Sequence, residues 1–346
     1  MRVLVPSSFH VSSTRDAWLK ICKGLAAQGI DVKPFDLMPR VQLFSFLEEK
    51  CKRSKREMPA GWTPTTMAYE AITGAALFHD CDWVLIVSPQ YLPSEIPDML
   101  RKVGIKTAAY FTECPYEDTL HAPITASHFT VNFVSDLYSV GLFKSFAERV
   151  VYLPHSFDPD LHLPPENEDE REDNVVFVGT GYSTRVKFLR QVDWPARLDL
   201  YGWWPREWLR HDTALRKSLR SRETTTPAET AEIYRKSAVS FGLHREMRYV
   251  GTDESIMDGE AYSLGPRNYE LAACRTFQVS DYRPELIDVF GDSVPLYATP
   301  QELGAVLKRA FDEPSWRSEL AYKQWERAQP YSCEKVMSRA AEALAA

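Results

Sequence analysis

Along the first half of the chain, short runs of consecutive apolar residues alternate with segments whose apolar positions recur every three or four residues. RVLVP, residues 2–6, is the first such run. Behind it, RDAWLKICKGLAAQG carries Ala17, Ile21 and Leu25 at helical spacing and ends on Gly29, where a C-cap glycine belongs. IDVKPFDL predicts a second strand. CDWVLIVSP (81–89) and KTAAYFTECP (106–115) are apolar runs closing in turn residues, and FTVNFVS and RVVYLPHS complete the series. Fully apolar strands separated by helices predict a parallel sheet covered on both faces.

The pattern then restarts. After the acidic, proline-containing LPPENEDERED comes NVVFVGTGYSTRVKFLRQV, which reads as strand, glycine turn and helix. RLDLYGWWP predicts a strand with its own glycine turn, AETAEIYRKS a helix, AVSFGLHR a strand, PRNYELAAC a helix and TFQVSDY a strand. A helical region runs from about residue 300 to the end. The expected fold class is α/β, with two Rossmann-like domains facing across a cleft. The first spans residues 1–160 and the second 174–325, with an acidic linker near 155–174. A closing helix at 326–346 is expected to cross back to the first domain. Open α/β sheets bind ligands beyond the C-terminal ends of their strands, so the turns there are the places to look for chemistry.

Composition refines this picture. At 346 residues, 44% hydrophobic and 26% charged, the chain has the balance of a two-domain globular protein. The opening MRVLVPSSFH holds too short an apolar run for a signal peptide, and no stretch of about 18 apolar residues offers a membrane span. Six scattered cysteines form no C-x-x-C pair, so neither a zinc site nor a redox motif is indicated, and reduced thiols in the cytoplasm are expected. No metal site is expected. The net charge of −7 is concentrated: residues 166–173 hold six acids and one arginine, −5 by themselves. Residues 185–222 hold ten Lys/Arg against four Asp/Glu, and residues 50–56 add five more bases. Both an anionic partner and plain solvated helix faces account for these runs.

Two constellations carry candidate chemistry. Gly179-Thr180-Gly181 follows the strand VVFV and precedes a helix, so its backbone can approach a phosphate at a helix N-terminus, with Arg185 and Lys187 adding formal charge. As a dinucleotide fingerprint it lacks the final glycine, which argues against a nicotinamide oxidoreductase. In SLGPRNYELAACRTFQVSDYRPEL (263–286), a Gly-Pro turn leads into Arg267 and Asn268 at a helix start, with Glu270 close behind. An arginine there opposes the helix dipole unless an anion is bound, and a Glu one turn in can accept from two vicinal hydroxyls. A capped helix with a surface ion pair is the plainer alternative.

These motifs, with LDLYGWW, AVSFGLHR, ELGAVLKRAF and RAQPYSCEKVM, resemble the donor-binding domain of glycosyltransferases of the two-Rossmann GT-B fold. Within that superfamily the similarity is to the CgeB-like, group 1 branch of bacterial and phage proteins. It covers about half the chain, from Val175 to about Met337. TECPYED (112–118) and VVYLPHSFDPDLH (150–162) match more loosely. The resemblance implies a hexosyltransferase with no bound cofactor, using a nucleotide-sugar co-substrate such as UDP-glucose without a metal. It places Gly179 and Gly181 near the diphosphate, Tyr201 and Gly202 near the base, and Glu270 on the ribose. His244, Arg245 and Arg267 become candidates for the phosphates and the leaving-group charge. Many retaining members have a second Glu eight residues before the ribose-binding one; here that position is Tyr262, so retention or inversion stays open. No D-x-D metal motif stands out, because Asp158-Pro159-Asp160 falls in the interdomain segment.

An acceptor hydroxyl needs a base, expected from the first domain. The candidates are Glu113 and Asp118 beyond the strand KTAAYF, and His10 after the first strand. Trp203 and Trp204 are expected to pack rather than to form a sugar platform. The acceptor is open: a glycan, lipid intermediate or protein, or hydroxymethylated DNA as in phage-type enzymes, which the basic runs would suit. A nucleotide-sugar epimerase and a non-catalytic nucleotide-sugar binding protein are the remaining alternatives. Oligomeric state is not legible.

Overall fold

The computed structural model describes every residue except 9–12, 211, 222 and 246–260. It divides into two units, Met1–Pro154 together with Cys333–Ala346, and His155–Ser332.

The first unit is built on six parallel strands: β1 (Arg2–Pro6), β2 (Asp31–Phe35), β3 (Trp83–Val87), β4 (Lys106–Phe111), β5 (Val131–Val134) and β6 (Val150–Tyr152), in the order β2-β1-β3-β4-β5-β6. Every residue of β3 and β5 is buried, as is all of β4 after Lys106. That burial is why these segments read as unbroken apolar runs instead of alternating ones. Pro34 is tolerated because β2 is an edge strand, where a missing backbone donor leaves no ladder partner unpaired. The helix Ser13–Ala26 packs against the C-terminal helix Cys333–Ala345, and Gly24 makes the approach close: a Cβ there would collide with the Cys333 carbonyl and the Met337 side chain. The Arg149 guanidinium donates to the Ala343 carbonyl at 2.5 Å, and the Gln28 amide to Glu334 at 2.9 Å. The C-terminal segment thereby belongs to the first unit.

The second unit carries four parallel strands, β7 (Glu172–Val178), β8 (Arg197–Tyr201), β9 (Ser237–Gly242) and β10 (Phe277–Ser280), in the order β10-β9-β7-β8. The chain runs outward from β7 to β8, then returns to build β9 on the other side. The direction of winding therefore reverses between β7 and β9, and the crevice at their C-terminal ends is the ligand position of such sheets. At the opposite edge Arg171 acts as a staple. Its guanidinium donates to the carbonyls of Arg235, Ser237, Cys274 and Arg275 at 2.9–3.0 Å and pairs with Glu168 at 2.7 Å. The acidic stretch is thus partly structural: Glu168–Glu170 form a short 3₁₀ turn, and Glu172 and Asp173 open β7.

Candidate active site at the C-terminal edge of the second sheet

The turn after β7 is tied to the turn after β8 by backbone hydrogen bonds. Gly179 N–H donates to Tyr201 O at 3.0 Å and Gly181 N–H to Trp203 O at 2.9 Å, zipping the turn to the one after β8. Three glycines make this closeness possible. A Cβ on Gly202, whose φ is +101°, would lie 2.6 Å from the Gly179 carbonyl oxygen. A Cβ on Gly181 would strike the Trp204 ring, and one on Gly179 the guanidinium of Arg267. Trp204 is buried and donates through Nε1 to Tyr201 O at 3.1 Å, while Trp203 stands exposed against Trp208.

Arg267 is the residue that joins the two motifs. From the first turn of the helix Pro266–Ala273 its Nε donates to Val178 O at 3.0 Å, and its guanidinium lies 4.3 Å from the centre of the Phe177 ring. The helix is N-capped by Gly265, which offers no side chain to its first-turn N–H groups. An arginine and an uncapped helix start, side by side under a glycine turn, form a concentrated positive field. Glu270, one turn further on, is buried, and both it and Arg267 lie within electrostatic reach of the buried Tyr234 hydroxyl. Burial raises that hydroxyl above the ordinary tyrosine range, Glu270 adds to the rise and Arg267 opposes it.

The far lip of the crevice is formed by the residues after β9 and β10. The Asp281 carboxylate takes the backbone N–H of His244 at 2.8 Å and faces its Nδ1 at 2.5 Å. Burial alone would raise Asp281; the His244 ring and N–H, with Arg283, hold its carboxyl below the usual carboxylate range instead. With Nδ1 engaged, the buried Nε2 of His244 has no hydrogen-bond partner among the described residues. Arg185 bridges the crevice, donating to Thr180 O at 2.9 Å and Leu243 O at 2.7 Å. It is buried, with its guanidinium committed to those two carbonyls. Arg245 lies 5.5 Å from the Tyr182 ring centre.

The structure therefore brings Gly179, Thr180, Gly181, Arg185, Tyr201, Gly202, His244 and Arg267 to one strand edge, with Glu270 buried behind Arg267. Asn268 is turned the other way: it is buried, its side-chain amide donates to Gln278 Oε1 at 3.0 Å and its backbone carbonyl accepts from Gln278 Nε2 at 2.8 Å, which joins its helix to β10. Tyr262 donates to Asp288 at 2.6 Å, so no carboxylate of its own stands at that position. Asp281 and Tyr234 escaped the sequence reading. For Asp281 a signal existed, an acid directly after the strand TFQVS, beside the histidine after AVSFGL. A cavity of about 580 Å³ at the other end of this sheet is lined by Glu168, Arg171, Arg275 and Arg317, but Arg171 and Arg275 are already paired with Glu168.

In the first unit, Glu113 lies just beyond β4 and is partly buried. Asp118 is fully buried beneath it, accepting from Glu113 N–H at 2.7 Å and from Gln90 at 3.0 Å. Burial raises the Asp118 carboxyl to about 6, against the lowering pull of those two donors. Asp118 thus fixes the loop that presents Glu113. His10 lies outside the described residues. Among the described residues no three His, Cys, Asp or Glu side chains gather as metal ligands, and no helix is long and apolar enough to cross a membrane.

Comparison with known proteins gives a family match for the second half of the chain and a fold for the whole. Residues 184–344, which include the helix of Arg267 and Glu270, match the family described as "Glycosyl transferase-like". The second half of the chain is thus similar to a glycosyltransferase family. Its whole length also follows solved GT-B structures. Anabaena HepE, in complex with UDP and glucose, is 12% identical over 100% of this chain and 99% of that one, with a TM-score of 0.67. Sucrose-phosphate synthase from Thermosynechococcus elongatus is 14% identical over 99% and 98%, TM-score 0.65. A glycosyltransferase from Rickettsia africae is 10% identical over 99% and 97%, TM-score 0.61. At these identities the likeness establishes the fold, two Rossmann-like α/β units. A search of the curated proteins finds no match.

Proposed function

We propose that this glycosyltransferase moves a hexose from a UDP-linked donor to an acceptor hydroxyl, with the donor held at the C-terminal edge of the second sheet. The observation that carries the reading is Arg267 beneath the Gly179 turn, at an uncapped helix start, with Glu270 one turn behind. A nucleoside diphosphate matches that order of groups: phosphates over the glycine turn and helix start, ribose hydroxyls toward Glu270, base near Tyr201 and Gly202. HepE, of the same fold, is found with UDP and glucose, which supports UDP as the nucleotide.

Transfer needs neutralisation of the charge that grows on the departing diphosphate. Arg267, Arg245 and the helix start supply it from the protein, which supports a reaction without a metal. Glu113 is the proposed base, and Asp118 positions it through the backbone hydrogen bond. A cytoplasmic site of action fits the six free thiols, four of them buried. DNA as acceptor draws little support from the run 185–222. Arg190 is paired with Asp212, Arg197 with Glu172 and Asp199, and Arg220 with Asp199, while Arg185 is buried on carbonyls. The CgeB-like kinship remains a reading of the motifs.

Turnover tests the proposal. The enzyme is incubated with UDP-hexoses, with and without mixed glycan, lipid and protein acceptors, and both UDP and the sugar are followed. Release of UDP, abolished by Arg267→Met, is expected. Sugar isomerisation without UDP release would replace the proposal with an epimerase, and binding without either change would leave a nucleotide-sugar sensor.

A further inference from the structure

The helix Met38–Arg53 has no fully buried residue, yet it carries two apolar stripes. Val41 and Phe44 are partly buried against the core of the first unit. Leu43, Phe46, Leu47 and Lys50 recur at i, i+3, i+4 and i+7, on the face turned away from that core. Leu43, Phe46 and Leu47 are 55%, 60% and 38% exposed. Trp62, 50% exposed, stands in the connection that leaves the C-terminal end of this helix for the helix Pro64–Phe78. Five cations, Lys50, Lys52, Arg53, Lys55 and Arg56, crowd the same end. Lys52 pairs with Glu48 at 2.8 Å and Arg53 with Glu49, whereas Lys50, Lys55 and Arg56 make no ion pair among the described residues.

We propose that this face docks the protein on an anionic lipid surface. Leu43, Phe46, Leu47 and Trp62 enter the boundary between headgroups and acyl chains, and the cations at the helix end sit among lipid phosphates. The combination of charge and apolarity selects this occupant. A second copy of the chain in a two-fold contact would set the five cations against themselves. A nucleic acid would engage the cations and leave four large apolar side chains in water. An anionic bilayer satisfies both sets at once, as an in-plane helix with Phe, Leu and Trp beside Lys and Arg does. The chain as a whole carries −7, so an anionic surface repels most of it and admits it by its basic end. The inference is independent of the donor site, which lies in the second unit.

Co-sedimentation of the full chain with vesicles tests it, using phosphatidylcholine alone and phosphatidylcholine mixed with phosphatidylglycerol. Pelleting is expected with the anionic vesicles and not with the neutral ones. Phe46→Ser with Leu47→Ser, and separately Lys50→Glu with Lys55→Glu, should each lower partitioning by about tenfold or more. All four side chains are exposed, so unchanged thermal unfolding confirms that the variants fold. Equal pelleting with both vesicle types, pelleting with neither, or variants that pellet like the wild type would overturn the proposal. So would a dimer in light scattering that Phe46→Ser dissociates without altering vesicle binding. Duplex DNA binding lost in the lysine variant but untouched by the Phe46 change would likewise overturn it.

Discussion

Replacing Asp118 by Asn should change how the stability of the first unit depends on pH. The wild-type carboxyl is fully buried, its oxygens accept from the Glu113 N–H and the Gln90 amide, and burial raises it from the ordinary 3.8 to about 6. The folded state thus holds this proton more tightly than the unfolded chain does. Its contribution to stability is complete below about pH 3.8 and is lost as pH rises through about 6. A displacement of roughly two units corresponds to about 3 kcal/mol. Asparagine keeps the shape and cannot ionise, so its own effect is a constant, and the other carboxylates are common to both proteins. The stability of Asp118→Asn relative to wild type should therefore rise by about 3 kcal/mol between about pH 4 and about pH 7. Hydrogen exchange at the β4 amides in a urea series reads the opening of this unit by itself. A relative stability that stays flat across that range would refute the buried, proton-holding Asp118 and, with it, the account of how Glu113 is positioned.

Three further outcomes follow from the second unit. Gly202→Ala combines a φ of +101° with a Cβ 2.6 Å from the Gly179 carbonyl oxygen. It should cost roughly 2–5 kcal/mol in thermal unfolding and abolish any rise in Tm on adding UDP. Arg171→Met removes the donors that cap four carbonyls and should destabilise this unit by roughly 3 kcal/mol, measured by urea unfolding, with UDP affinity at saturating folded protein unchanged. Asp281→Asn removes the anion beside His244. UDP affinity should then fall several-fold, because the residue after β9 is no longer tied by a carboxylate to the residue after β10. Calorimetric titration of UDP into both proteins checks this.

How much was legible follows from the type of signal. The strands of both sheets stood out because parallel strands covered on both faces are written as unbroken apolar runs, Trp83–Val87 being the clearest. The glycine turn and the helix of Arg267 and Glu270 were visible as turn chemistry next to those runs. The helix Met38–Arg53 was not, because Val41 and Phe44 face the core while Leu43, Phe46 and Leu47 face outward, and two apolar stripes blur a single helical period. Asn268 and Arg185 show the other limit. Their side chains suit a ligand, but which way each points is decided by tertiary partners, Gln278 for one and the Thr180 and Leu243 carbonyls for the other. The helical region after residue 300 resolves into three helices, Pro300–Asp312, Pro314–Ala328 and Cys333–Ala345, with prolines at the starts of the first two and Pro330 in the turn before the third.

The most direct test of the donor-site claim is calorimetric titration of UDP and of its 2′-deoxy analogue into wild type and Glu270→Gln. The account predicts that wild type prefers UDP over the deoxy form by roughly 10- to 100-fold, the worth of a charge-assisted hydrogen bond, and that Glu270→Gln loses most of that preference. Equal affinity of wild type for the two nucleotides, or a preference that survives in Glu270→Gln, would contradict it.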